Sequence, residues 1–245
     1  MSKYAFFDVD GVLYRGYSLV EFADFLAENG CLDVEQNRVI QEAVAEYQAG
    51  RLDYHNGTVM VSRAYSRGLK GQAEEEILHQ ARNFFEKTYP VNFFPYALKL
   101  VEAVRAKGYE VIFVSASPVE IIGEIARNFR AAHIGLISEI NNRYYTGEIL
   151  QNLGFEDAKE KTLARFARER NINLQKSLAF GDSEGDLGML SLVGLPFPVN
   201  PTANLYEFAL QKQWYVIEDD SINHEKTVVE IIDKFENCNN CKKIF

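Results

Sequence analysis

What most constrains this chain is a set of short apolar runs, each of which empties into acids or a serine. Residues 4–13 read Y-A-F-F-D-V-D-G-V-L, a β-forming run that meets Asp8, Asp10 and Gly11 as a buried strand meets a sharp loop. Residues 111–114 read V-I-F-V and end at Ser115, Ala116 and Ser117, and the run at 177–180 empties into Gly181, Asp182, Ser183, Glu184, Gly185 and Asp186. From Pro95 onward such runs alternate with helical periodicities, which predicts an α/β fold with a parallel sheet. Right-handed crossovers in that kind of sheet bring the carboxyl ends of the strands to one crevice, where ligands bind.

Behind the first run, residues 16–85 carry helical spacing only. Leu19, Phe22, Ala23, Phe25 and Leu26 share one face and stop at Asn29 and Gly30. Asp33 suits the cap of a second helix with Ile40, Ala43, Val44 and Tyr47. Asp53 starts a third that carries Val59, Val61 and Tyr65, and a fourth begins near Ala73. These stripes read as core stripes. The expected organisation is a catalytic core at 1–15 and 90–220, an inserted all-helical cap at 16–89, and a C-terminal helix with a polar tail at 221–245. A hairpin is expected around Asn141 and Asn142, and short strands near 195–199 and 215–217. Ser117 suits a helix cap, with Pro118 at the first helical position. Lys159 falls in the first turn of a helix led by Asp157, an end where the dipole favours acids, so a nearby anion would suit it.

With 245 residues, 47% of them hydrophobic, the chain can bury a substantial core. Its formal net charge of -9 speaks against a nucleic-acid or anionic-membrane partner, both of which call for a basic face. No apolar stretch is long enough for a membrane span and no secretory leader is read at the start, so the expected setting is cytoplasmic. Cys31, Cys238 and Cys241 are too few for a disulfide framework, and the C-x-x-C of Cys238 and Cys241 reads as inert or as an incidental metal grip. His55, His79, His133 and His224 lack ligand spacing. Nothing in the residues fixes a subunit count.

Taken as a constellation, the strand ends deliver Asp8 and Asp10, then Ser115, then Asp182 and Asp186, with Lys159 from a helix start. Hard oxygen donors suit Mg²⁺, and carboxylates crowded into one cleft repel one another without a cation. Asp8 is placed to attack a phosphoryl group and form an aspartyl-phosphate, and Asp10 to protonate the leaving oxygen and then activate water. Ser115 and Lys159 supply donors to the remaining phosphoryl oxygens, with Ala116 and Gly11 counted beside them at the phosphate. Lys161, two residues on, is the alternative to Lys159.

These motifs resemble those of the haloacid dehalogenase-like hydrolases. The four segments are D-V-D-G-V at 8–12, V-S-A-S at 114–117, A-K-E-K-T-L at 158–163 with Lys159, and G-D-S-E-G-D at 181–186. Their order and the helical insertion are similar to the phosphoserine phosphatase-like branch. The resemblance implies a Rossmann-like core with an inserted helical cap, and Mg²⁺ held by Asp8, the backbone carbonyl of Asp10 and Asp182, with Asp186 behind that set or at an additional metal site. It implies a phosphomonoester phosphatase acting on a small phosphorylated metabolite. A phosphomutase or phosphotransferase with the same aspartyl-phosphate, and a non-catalytic phospho-ligand-binding protein, are the alternatives. Tyr17 stands near the position of that branch's substrate-binding Glu, residues 58–62 carry no Arg, and the second motif has S-A-S in place of S-G-G, which points away from phosphoserine. Tyr14, Arg15 and Tyr17 are expected at the mouth between core and insertion, against an aromatic or larger ester, while Ser183 contacts substrate or forms the turn.

Overall fold

The computed structural model describes residues 3–155, 157–218 and 224–237. Its centre is a six-stranded sheet of β1 (Lys3–Phe7), β2 (Tyr109–Pro118), β3 (Ala132–Asn141), β4 (Tyr144–Gln151), β5 (Leu178–Gly181) and β6 (Leu195–Pro198), in the spatial order β4-β3-β2-β1-β5-β6. All neighbours run parallel except β3 and β4. The chain thus works outward from β1 to one edge and then returns to build β5 and β6 on the other side of β1. That reversal is the topological switch point of an open α/β sheet.

Alternation along β1 fixes how the sheet is covered. Ala5 and Phe7 face a core shared with α5 (Ala97–Ala106), α6 (Val119–Asn128) and α10 (His224–Asn237). Phe6 faces the opposite core, built with α7 (Ala158–Glu169), α8 (Leu187–Leu192) and α9 (Ala203–Lys212). Burial on both faces explains why the strand reads as an unbroken apolar run. Phe7 stacks on Phe180 with ring centroids 4.0 Å apart, and Phe180 on Phe197 at 4.8 Å, so three adjacent strands are joined by one aromatic column. Each large side chain buried there stabilises the fold by about 1.5–3 kcal/mol.

Between β1 and α5 lie α1 (Ser18–Glu28), α2 (Val34–Gln48), α3 (Tyr54–Gly68) and α4 (Glu74–Thr88). Asp33 and Asp53 cap α2 and α3 by accepting from the Gln36 and Asn56 amides, as their positions lead one to expect. The insertion is tied to the β3–β4 hairpin: Ser66 Oγ meets Ser138 Oγ at 2.8 Å, and Asn152 donates to Ser62 Oγ. In the hairpin turn Asn142 and Arg143 both have positive φ, the requirement of a tight two-residue loop, one residue later than Asn141 and Asn142 suggest.

Three details differ from the sequence reading. β2 continues past Val114 through Ser115 to Pro118, with a shift in register. Pro118 therefore sits at the cap of α6 and not inside it, and Ser117 makes no helix-cap bond because its hydroxyl is turned elsewhere. The short run ending at Ile217 contributes one bridge to Val199, not a strand. Cys238 and Cys241 lie outside the described residues.

Candidate active site

β1 ends directly beneath the loop that carries Asp8 and Asp10. The Asp8 amide continues the ladder by donating to Phe180 O, so Asp8 is fixed in register with the end of β5. The loop then closes on itself: Gly11 N donates to Tyr14 O, while Leu13 and Tyr14 donate to Val9 O. Gly11 has φ +74°, and a Cβ there would run into the Asp182 carboxylate, so a glycine lets the two acidic loops meet.

The second acidic loop is wound around Asp186, which is wholly buried. Its Oδ2 accepts from the Asp182 amide at 3.0 Å, from the Ser183 amide at 3.2 Å and from Ser183 Oγ at 3.3 Å. Its Oδ1 accepts from Lys159 Nζ at 2.6 Å. The Lys159 ammonium also lies 3.0 Å from Asp8 Oδ2, which makes it the bridge between the ends of β1 and β5. Lys161, by contrast, is exposed and faces Asp157 at 3.9 Å. Two residues on a helix turn through about 200°, so only one of this pair can face the sheet.

Asp10 is held from two sides. Ser18 N donates to Oδ1 at 3.1 Å, Ser117 Oγ donates to Oδ2 at 2.8 Å, and Ser18 Oγ donates in turn to Ser117 Oγ at 2.9 Å. Ser115 Oγ accepts from the Ser117 amide at 3.1 Å, which leaves its hydroxyl hydrogen for another acceptor. Ser117 and Ser18 are the residues that sequence reasoning missed. A serine two residues after Ser115, at the end of the same strand, was the available signal.

Asp8, Asp182 and Asp186 each offer a carboxylate oxygen, all within 4.8 Å of one another. Burial, then the Asp186 charge, push Asp8 well above the usual carboxylate range, and the same two causes act on Asp182. Asp10 is also raised by burial, against the pull of its hydrogen bonds from Ser18 and Ser117. Burial works against the Lys159 ammonium, but the charges of Asp186 and Asp8 outweigh it and hold its proton tightly. Three electron-rich carboxylates with a single ammonium among them are a site short of positive charge. Such a donor set, all hard oxygen, fits a small divalent cation.

An open cavity lies over these groups, lined at its floor by Asp8, Asp10, Ser115, Ala116, Lys159 and Asp182. Tyr17, Tyr47, Tyr54, Leu19, Val44 and Val61 contribute to the far wall, so parts of the helical stripes read as core face this space instead. Ser183 also lines it, with its hydroxyl oxygen 3.3 Å from that of Tyr54. Tyr17 is 46% exposed at the mouth. The expectation for Tyr14 and Arg15 needs correction. Tyr14 is buried in the core, with its hydroxyl on Glu21 and Asn92, because that carboxylate seven residues on gives the phenol a partner inside the protein. Arg15 is exposed and lies over the Phe94 ring. Neither lines the cavity.

Fold and site together define an α/β enzyme whose acidic groups converge at the switch point of a mostly parallel sheet. The model of the haloacid dehalogenase-like hydrolases matches residues 5–191, and the chain belongs to that family. A Mycobacterium tuberculosis protein named phosphoserine phosphatase is 25% identical over 213 residues, spanning 86% of this chain and 69% of the relative. One named histidinol-phosphatase, from Neisseria meningitidis, is 27% identical over 225 residues, spanning 89% and 99%. The crystal structure of a protein of unknown function from Bordetella pertussis superposes with a TM-score of 0.75 at 25% identity, covering 89% of this chain and 99% of that one. Among the described residues no helix is long and apolar enough to cross a membrane.

Proposed function

We propose that this hydrolase is a Mg²⁺-dependent phosphomonoester phosphatase that works through an aspartyl-phosphate on Asp8. The observation that carries the reading is Lys159, buried between Asp8 and Asp186 beneath a cavity with Asp10 and Asp182 on the same floor. Asp8, Asp182 and the Asp10 carbonyl would hold the cation. Both oxygens of Asp186 are already engaged, which supports a role in ordering Lys159 and the Asp182 loop. When bound, Mg²⁺ supplies positive charge against which the phosphate oxygens and the carboxylates can approach one another.

The chain's own groups then divide the work. The Asp8 carboxylate attacks phosphorus as the ester P–O bond breaks, and Asp10, whose burial favours its protonated form, gives its proton to the leaving oxygen. Asp10, now a carboxylate steadied by Ser117 and Ser18, takes a proton from the water that cleaves the acyl-phosphate. Lys159 and the free hydrogen of Ser115 meet the phosphoryl oxygens, with Gly11 and Ala116 beside them. A net charge of -9 and the names of the relatives support a small phosphorylated metabolite over nucleic acid as substrate, and a chain with Cys31 free and buried suits a reducing cytoplasm.

The test is to quench the enzyme with a ³²P-labelled ester in turnover and map the adduct. The expected result is a hydroxylamine-labile phosphoryl group on Asp8 and free phosphate without any bisphosphate cofactor. Phosphate release with label on another residue, or none, overturns the mechanism.

A further inference from the structure

The far wall of the cavity carries information that the catalytic floor does not. Of the residues that line it, the charged ones are Asp8, Asp10, Lys159 and Asp182, all on the floor. The wall supplied by α1, α2, α3 and the turn before α1 presents Tyr17, Leu19, Val44, Tyr47, Tyr54 and Val61 with no acid and no base. Two of its hydroxyls are engaged, Thr58 Oγ1 donating to Tyr54 O and the Tyr54 hydroxyl meeting Ser183 Oγ, while those of Tyr17 and Tyr47 are uncharged polar tips on an otherwise apolar surface. Burial raises the phenols of Tyr17 and Tyr47, so both stay neutral at physiological pH. Tyr47 and Tyr54 pack edge to face with centroids 6.2 Å apart, a rigid aromatic corner above the phosphate end.

The geometry points to a substrate whose phosphate is esterified to a neutral, flat apolar group, an aryl or arylalkyl alcohol. This deepens the phosphatase reading and rests on it. A leaving group with an ammonium or a carboxylate would give up water against this wall and find no opposite charge there. A neutral ring would instead gain from apolar burial and from offset or edge contact with Tyr47 and Tyr54. Aromatic walls also attract quaternary ammonium groups. Here the aliphatic side chains of Leu19, Val44 and Val61 break up the ring of tyrosines that such a cation needs.

The experiment separates this claim from turnover by using phosphonates, which bind as the esters do and cannot be hydrolysed. With Mg²⁺ present, calorimetry compares 2-phenylethylphosphonate with ethylphosphonate and with the phosphonate analogues of phosphoserine and phosphocholine. The phenyl compound is expected to bind about tenfold or more tighter than each of the others. Tyr47→Ala should bring its advantage over ethylphosphonate below about threefold with ethylphosphonate itself unchanged. Tyr17→Ala, at a half-exposed position, should act in the same direction. Equal binding of the phenyl and ethyl compounds, or a preference for the amino-acid or choline analogue, overturns the substrate class. Absence of phosphate release from every ester would defeat the phosphatase reading instead, and the binding ratios would still decide the wall.

Discussion

Lys159 and Asp186 form an ion pair, 2.6 Å from Nζ to Oδ1, with both side chains essentially removed from solvent. Asp8 is the third member, and its oxygen lies 3.0 Å from the same ammonium. Removing one partner from a buried pair costs more than the pair is worth, because the other charge is left without water or counter-ion. Lys159→Met should therefore destabilise the protein by about 3–5 kcal/mol. It should also slow phosphate release by about a hundredfold or more. Urea denaturation and steady-state kinetics check both, and a variant of unchanged stability would mean that the ammonium is not what holds these acids together.

Gly11 makes a second, purely steric prediction. Its positive φ and its contact with Asp182 leave no room for a methyl group. Gly11→Ala should cost more than about 1 kcal/mol in stability and should weaken the response to Mg²⁺ further, because the Asp182 carboxylate must move. Wild-type behaviour in thermal melts with and without Mg²⁺ would contradict this.

Removal of the metal offers a third. A cation that binds only the folded protein stabilises it by about 2.7 kcal/mol at a hundred times its dissociation constant. The wild type should melt higher with Mg²⁺ than with EDTA, and Asp182→Asn should lose most of that shift. If Asp182→Asn responds like the wild type, Asp182 is not a ligand.

Glu120 gives a pH dependence away from the catalytic floor. It is buried, accepts from Tyr145 at 2.7 Å through one oxygen and leaves the other without a partner. Burial raises its proton affinity, and the Glu74 charge adds to this against the Tyr145 hydrogen bond. Because the folded state binds this proton more tightly than the unfolded state, its contribution is present below the ordinary Glu value of 4.5 and is lost as pH rises through the raised one. Glu120→Gln keeps an acceptor for Tyr145 and should lose less stability than the wild type as pH rises above 4.5. Parallel stability profiles would contradict it.

Much of this was legible from the residues alone, for physical reasons. A strand buried on both faces must be apolar throughout, so β1, β2 and β5 stand out, and the polar residue where each run stops falls at the binding edge of the sheet. That is why Asp8, Asp10, Ser115, Lys159, Asp182 and Asp186 converge where the sequence reading brought them together. Ser117 was illegible because a serine that caps a helix and one that donates to a carboxylate look alike until the neighbours are known. Val44 and Tyr47 were misread because helical periodicity identifies a face, and a core and a cavity ask for the same residues. Tyr14 was misplaced because Glu21, far enough along the chain to lie in the next helix, takes up its hydroxyl.

The central claim is that Asp8 is the nucleophile of a metal-assisted phosphatase. The most direct measurement is phosphate release from an aryl phosphate by the wild type and by Asp8→Asn, each with and without Mg²⁺, with circular dichroism to show that both are folded. The expected result is release by the wild type that requires Mg²⁺ and is absent in folded Asp8→Asn. Release that survives in Asp8→Asn, or that proceeds equally well in EDTA, would contradict the account.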